Sequence, residues 1–407
     1  MKKLAGVLSI GALVLLASCG PSGGGEEEVK QETADGGEKT SVVSSYNFSD
    51  EEYKVLLPYE SGKSKGVVNY ETSAARGVII NQIANRLDID EVEEGLRNHS
   101  KDVFSPEDYY FREGQMLDSD TLYSWIGRYA KAQDLGKAAT AEAKKAEKAK
   151  ELGLNPELNE EKASEKDFRD NPKYLSHILE QDYMVEDDNG DIKLGGVSIA
   201  LAMKSEYQFT TGGKGPYREE IPEDEMLAQA NEMAKKIVER MRGMDGLTEV
   251  PIHIAVYQEA KKESVVPGNF VSETTVEKGS SSVGDWDKID EKNVLFPSDT
   301  AAEDHPDESQ YISAFETKVS SFFPNYTGMI GRGFYENDEL KKLTIEIPIQ
   351  FEGNAEVVAF TQYAYSQIMD IFPNYYDLEI NITSNDKTEA IITREQDAKE
   401  PEVYILN

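Results

Sequence analysis

Over the last hundred residues, apolar and polar positions alternate in short runs, each preceded by a helical spacing. Leu343, Ile345, Ile347, Ile349 and Phe351 interleave with Thr344, Glu346, Pro348 and Gln350, and Leu378, Ile380 and Ile382 with Glu379 and Asn381. A period of two with one apolar side predicts half-buried antiparallel strands. Before the first run, Tyr311, Ile312, Phe315, Val319 and Phe322 share one helix face; before the second, Val357, Phe360, Ala364, Ile368 and Ile371 do so. A Phe-Pro-Asn-Tyr motif halts each helix, at 323–326 and again at 372–375. Its proline lacks the amide hydrogen and clashes with the preceding turn. Asn337-Asp338 and Asn385-Asp386 stand where hairpin turns are needed. One unit, helix–turn–strand–turn–strand, is thus written twice.

A related pattern lies upstream. Met226, Leu227, Ala230, Met233, Ile237, Val238 and Met241 mark an amphipathic helix that starts near Pro222 and ends at Gly243. Alternating strands flank it, with Val197, Ile199, Leu201 and Met203 before and Ile252, Ile254 and Val256 after. The fold class this predicts is α+β, antiparallel sheets with helices packed on one face, in two related repeat domains. We place them at 47–194 and 195–407. The first is less regular: strands in "YKVLLPY" and "GVVNYE", helices in "SAARGVIINQIANRLDIDEVEEGL", and a hairpin around Asn189-Gly190. A charged, alanine-rich stretch from Lys137 to Phe168 is helix-prone but lacks an apolar stripe, and reads as an exposed insertion.

The N-terminus follows a different rule. Lys2 and Lys3 precede an apolar run from Leu4 to Ser18, shorter than the ~20 residues that span a bilayer, closed by the small Ala17 and Ser18. That is the layout of a secretory signal peptide over 1–18. The chain's single cysteine, Cys19, follows at once. Leu16-Ala17-Ser18-Cys19 resembles the lipobox of bacterial lipoproteins, in which the thiol is diacylated and becomes the mature N-terminus; a leader cut elsewhere beside a chance thiol, or a plain anchor helix, is the other reading. With one cysteine no intrachain disulfide can form. From Cys19 to residue 46 the chain is rich in Gly, Glu and Ser and reads as a disordered tether.

The charge balance narrows the partners. Lys and Arg number 43 against 77 Asp and Glu, a formal net charge of −34. Such a surface repels nucleic acid and anionic headgroups. Candidate chemistry is sparse. His99, His177, His253 and His305 form no metal-binding spacing, and His253, on the polar side of a strand, reads as solvated. "EDDNGD" at 186–191 fails as a calcium loop, because counting from Gly190 puts Val185 first and Gly196 twelfth. "TTGGKGPY" at 210–217 and "GMIGRGFY" at 328–335 match neither a phosphate loop nor a dinucleotide fingerprint and read as loops. "GSSSVG" at 279–284 is not a nucleophile elbow. Nothing calls for a cofactor, a metal or an enzyme, although abundant carboxyls leave room for an envelope hydrolase with an unmarked carboxylate pair.

The lipobox, the double-repeat layout and the stretches "NPKYLSHILEQDY" and "FFPNYTGMIGRGFYE" together resemble the CamS family, lipoproteins described as sex pheromone precursors of Gram-positive bacteria. The resemblance implies processing by prolipoprotein diacylglyceryl transferase and signal peptidase II, and anchoring to the outer face of the cell membrane through lipid on Cys19. It also implies release of a short apolar peptide, here Ala12, Leu13, Val14, Leu15, Leu16, Ala17 and Ser18, to a peptide receptor of plasmid-bearing cells. The mature domains would then act as a cell-surface binding module of unassigned ligand.

Overall fold

A computed structural model describes residues 27–32, 38–43, 52–59, 70–133, 135, 140–323, 326–351, 353–385 and 387–406. The leader, the lipobox and Cys19 lie outside these residues.

The first half of the chain builds one large sheet. Its elements are β1 (Glu27–Glu32), β2 (Glu38–Val43), β3 (Lys54–Tyr59), α1 (Leu87–Ser100), β4 (Tyr110–Glu113), α2 (Ser119–Trp125), α3 (Ala141–Ala149), α4 (Glu165–Asp170), β5 (Leu175–Glu186), β6 (Asp191–Lys204), β7 (Glu206–Thr211), β8 (Lys214–Glu220), α5 (Glu223–Met241), β9 (Ile252–Glu259), β10 (Asn269–Val276) and β11 (Asp287–Lys288). The strand order is β1-β2-β3-β4-β5-β6-β9-β10-β11, and β6 also pairs with β1. Strands β1 to β6 therefore close on themselves, while the far half of β6 runs on beside β9. Two of these strands fall in the stretch expected to be a bare tether. A ladder is made by main-chain groups, so low apolar content alone did not forbid it.

Helix α5 crosses from β6 to β9, which lie parallel with Val197 opposite Ile252. It buries Met226, Ala230, Met233, Ala234, Ile237, Val238 and Met241. Beneath are Val197, Ile199, Leu201 and Met203 of β6 and Ile252, Ile254 and Val256 of β9. Each of the larger side chains, fully buried, contributes roughly 1.5–3 kcal/mol. The opposite face is covered as well: Val92 and Leu96 of α1 pack on Ala200, Ala202, Ala255, Tyr257 and Phe270. That second layer corrects one expectation. His253 is 1% exposed, because the face taken for a solvated one lies under α1.

The second half adds β12 (Glu291–Phe296), α6 (Asp299–Asp304), α7 (Pro306–Phe322), β13 (Ile330–Glu336), β14 (Glu339–Pro348), α8 (Asn354–Ile371), β15 (Asp377–Ser384), β16 (Lys387–Arg394) and β17 (Glu402–Ile405). These strands pair in chain order, with β14 and β15 parallel across α8 and the rest antiparallel. Phe315 and Val319 of α7 and Phe360, Ala364 and Ile368 of α8 lie on one face, over Ile345, Ile347, Ile380 and Ile382. Asn337 and Asp338 hold φ of 52° and 62° in the β13–β14 turn, and Asn385 holds 48° in the next; asparagine and aspartate tolerate that left-handed region best after glycine.

The fold is α+β, with two mostly antiparallel sheets flanked by helices. Both contain a hairpin, a crossover helix and a second hairpin: β5-β6-α5-β9-β10 and β13-β14-α8-β15-β16. The change of sheet falls between β11 and β12. The expected boundary at 195 instead lies inside β6, whose partner β9 arrives only after α5. The segment read as a glycine loop at 328–335 is mostly strand β13. A Cβ on Gly331 would lie 3.2 Å from Phe296 and 3.3 Å from Ile312, so glycine there serves close approach to a helix. No helix among the described residues is long and apolar enough to cross a membrane.

Candidate functional site

The helix-free face of the second sheet is polar, and α1 of the first stands opposite it. Together they wall a cleft of about 430 Å³. Glu91, Glu94, Asn98 and His99 of α1, with Asp102 just beyond it, form one wall; Arg332, Phe334, Glu336, Lys342 and Thr344 of β13–β14 face them across residues 288–293.

The wall is positioned by the buried side of α1. Asp88, 0% exposed, accepts hydrogen bonds from Tyr257 Oη at 2.9 Å, the Ala260 amide at 3.0 Å and the Gly268 amide at 2.7 Å. At the other end Ser100 Oγ donates to Ser198 Oγ or accepts from it at 2.7 Å. Gly95 permits the close fit between, since a Cβ there would lie 2.5 Å from the Phe270 ring.

His99 is the centre of the floor. Its Nε2 is 2.7 Å from Glu291 Oε1 and its Nδ1 3.4 Å from Glu273 Oε2. The other Glu291 oxygen accepts the Phe270 amide at 3.1 Å. Burial works against an imidazolium at His99, but the hydrogen bond and charge of Glu291, with Glu273 and Glu336, outweigh it and raise its pKa. On the far side of Glu273, His253 Nε2 stands 3.6 Å from the same Oε2. Burial, then the charge of His99, pushes His253 down to about 4. The two imidazoles flanking Glu273 are thus shifted in opposite directions, His99 up and His253 down.

Acidic groups outnumber cations in the cleft, and burial raises several of them. Glu91 is pushed up to about 7, chiefly by burial, with Arg332 opposing and Glu291 and Glu94 adding to the rise. Burial also raises Glu273 and Glu336. Replacing Arg332 with methionine should therefore move Glu91 further above 7. Carboxyl-carbon NMR titration checks this, and an unchanged midpoint would separate the two groups.

This arrangement does not resemble a hydrolytic relay. Both nitrogens of His99 face carboxylates, a pairing that favours the protonated ring and works against a general base. A second carboxyl pair, Glu180 and Asp182, is 6% and 0% exposed. It is occupied in fastening the loop after β4. Glu180 accepts the Met116 and Leu117 amides at 3.0 and 2.7 Å, and Asp182 accepts Arg112 Nη2 at 2.6 Å. Among the described residues no group of three or more His, Cys, Asp or Glu side chains is set to hold a metal ion.

Cys19, Leu16, Ala17 and Ser18, and the peptide Ala12 to Ser18, lie outside the described residues. The histidine cleft carried no motif. His99 and Glu291 are 192 positions apart and meet only through the fold.

A family model described as CamS sex pheromone cAM373 precursor matches residues 70–400. No curated protein sequence matches the chain. Among solved structures, a sex pheromone precursor from Lactobacillus salivarius subsp. salivarius UCC118 superposes with a TM-score of 0.76 at 27% identity, over 90% of this chain and 98% of that one. The C-terminal domain of the sex pheromone staph-cAM373 precursor from Staphylococcus aureus gives 0.68 at 31% identity, over 80% and 99%.

Proposed function

The chain belongs to the CamS family of sex pheromone precursors, and on that premise we propose that it is a lipoprotein with two products. Residues 1–18 are the leader, removed before Cys19 by signal peptidase II after a diacylglyceryl transferase has loaded the thiol. The end of that leader, Ala12-Leu13-Val14-Leu15-Leu16-Ala17-Ser18, is released as the signal and read by a peptide receptor of plasmid-bearing cells. The remainder stays on the outer face of the membrane. Two acyl chains bury on the order of thirty methylenes at ~0.8 kcal/mol each, so the anchor does not exchange.

The observation that carries this reading is the coincidence of family and sequence. A chain of the pheromone-precursor family has its one cysteine directly behind a leader that ends in Leu-Ala-Ser. The family's role rests on release of a peptide and asks for no catalysis by the folded body. For that body the cleft between α1 and the second sheet supports a binding role, since its wall is open, polar and held rigidly from behind. Synthetic ALVLLAS at micromolar concentration should make responsive donor cells clump, whereas a scrambled heptapeptide should not. Silence of both would remove the signalling role and leave the anchor untouched.

A further inference from the structure

The second Phe-Pro-Asn-Tyr motif is used differently from the first. In the first copy Tyr326 Oη bonds Glu316 of the preceding helix at 3.0 Å. In the second, Tyr375 is 47% exposed and its hydroxyl reaches Glu308, in the first turn of α7, at 3.4 Å. Tyr375 and Glu308 line a separate pocket of about 530 Å³ where α6 meets α7.

The pocket has π faces and negative charge. His305 lies over the Tyr335 ring with centroids 4.1 Å apart. Asp304 and Asp307 join Glu308 on the rim. The positive end of the α7 dipole, roughly half a charge, is outweighed by these three carboxylates. Nearby cations are already engaged: Lys341 Nζ bonds Glu339 at 2.8 Å, and the Arg394 guanidinium donates to the Phe372 and Pro373 carbonyls.

One buried polar atom lining this pocket lacks a partner. Tyr335 is 2% exposed and lines the pocket, yet its hydroxyl has no hydrogen-bond partner. A buried phenol without a partner is costly, and such groups are uncommon in folded proteins. Burial, with the charge of Glu308, raises its pKa, so it keeps its proton.

We propose that this pocket binds a primary ammonium group, stacked against Tyr375 and ion-paired to Glu308, with the Tyr335 oxygen accepting one of its N–H bonds. A carboxylate or phosphate would meet three like charges here. A quaternary ammonium satisfies the ring faces but has no hydrogen to give Tyr335 or Glu308.

The probe is n-butylammonium, titrated into the chain beginning at Gly20 and followed by tyrosine resonances in NMR. Saturable binding of order millimolar is expected, with tetramethylammonium at least several-fold weaker and butyrate not binding. Glu308→Gln should weaken binding about tenfold and Tyr375→Ala about fivefold. Tyr335→Phe removes only an unpartnered hydroxyl. It should leave the thermal midpoint unlowered while weakening butylammonium several-fold. Nα-acetyl-lysine amide and alanine amide present the ammonium on a side chain and on a main-chain end; binding of either supports the site and distinguishes the source. No saturation by any amine, equal affinity in all three variants, or tetramethylammonium binding as tightly as butylammonium would overturn the proposal.

Discussion

Asp88→Ala should destabilise the folded body by about 3–5 kcal/mol, because the substitution strands three buried donors at once, each worth about 1–3 kcal/mol. Two are main-chain amides, Ala260 and Gly268, at the ends of the loop joining β9 to β10, and the third is the Tyr257 hydroxyl. The loop end it holds is tightly packed, since a Cβ on Gly268 would lie 1.9 Å from the Gln258 carbonyl oxygen. Asp88→Asn should cost roughly half as much, because the amide keeps one acceptor oxygen and turns an NH₂ toward a donor.

The pH dependence gives a second signature. Burial raises Asp88 from 3.8 to about 6, against the opposing bonds from Gly268, Tyr257 and Ala260. A carboxyl raised on folding favours the protonated native state. Its stabilising contribution is therefore complete below 3.8 and is lost as pH rises through about 6. Urea denaturation of wild type and Asp88→Asn across that window should show the slope in the first and its loss in the second. Parallel curves would show that Asp88 does not titrate as its surroundings require.

Glu291→Ala should cost about 3–5 kcal/mol, the range for removing one partner of a buried ion pair. Glu291 and His99 are 7% and 16% exposed in their side chains. Alanine would leave the Phe270 amide unpaired and the His99 ring with only the longer contact to Glu273. The pair also links the sheets, with His99 on α1 and Glu291 opening β12, so the substitution acts on how the cleft is held. His99 has its pKa raised above 6.5 in the fold. Its contribution is present below 6.5 and is lost as pH rises through the raised folded value. In Glu291→Ala, the His99 ring proton should titrate lower and this pH-linked loss should vanish. An unchanged His99 midpoint would contradict the clasp.

The second sheet was legible because one of its faces is apolar and the other wet. Ile345, Ile347, Ile380 and Ile382 alternate with residues that meet solvent, and each hairpin turn carries an asparagine at positive φ. The first sheet was not, for the opposite reason. Strand β6 is buried on both faces from Val197 to Met203, so the side carrying Ser198, Ala200 and Ala202, which reads as the polar one, lies under α1. The same two-sided burial explains why His253 was misjudged and why 195 looked like a boundary. In α1 the apolar stripe is narrow, Val92 and Leu96 amid acids, and the helix begins only at Leu87 rather than from Ser73. The cleft was invisible for another reason: its charges come from six separate elements, α1 and β10 to β14, and no local spacing records a meeting made by the fold.

The most direct test of the account is intact mass spectrometry of the chain extracted from membranes of the producing cells, with the medium analysed beside it. The account predicts an N-terminal Cys19 carrying diacylglycerol, residues 1–18 gone, and ALVLLAS outside the cells. A free thiol at Cys19 on a chain that still begins with its leader would contradict it.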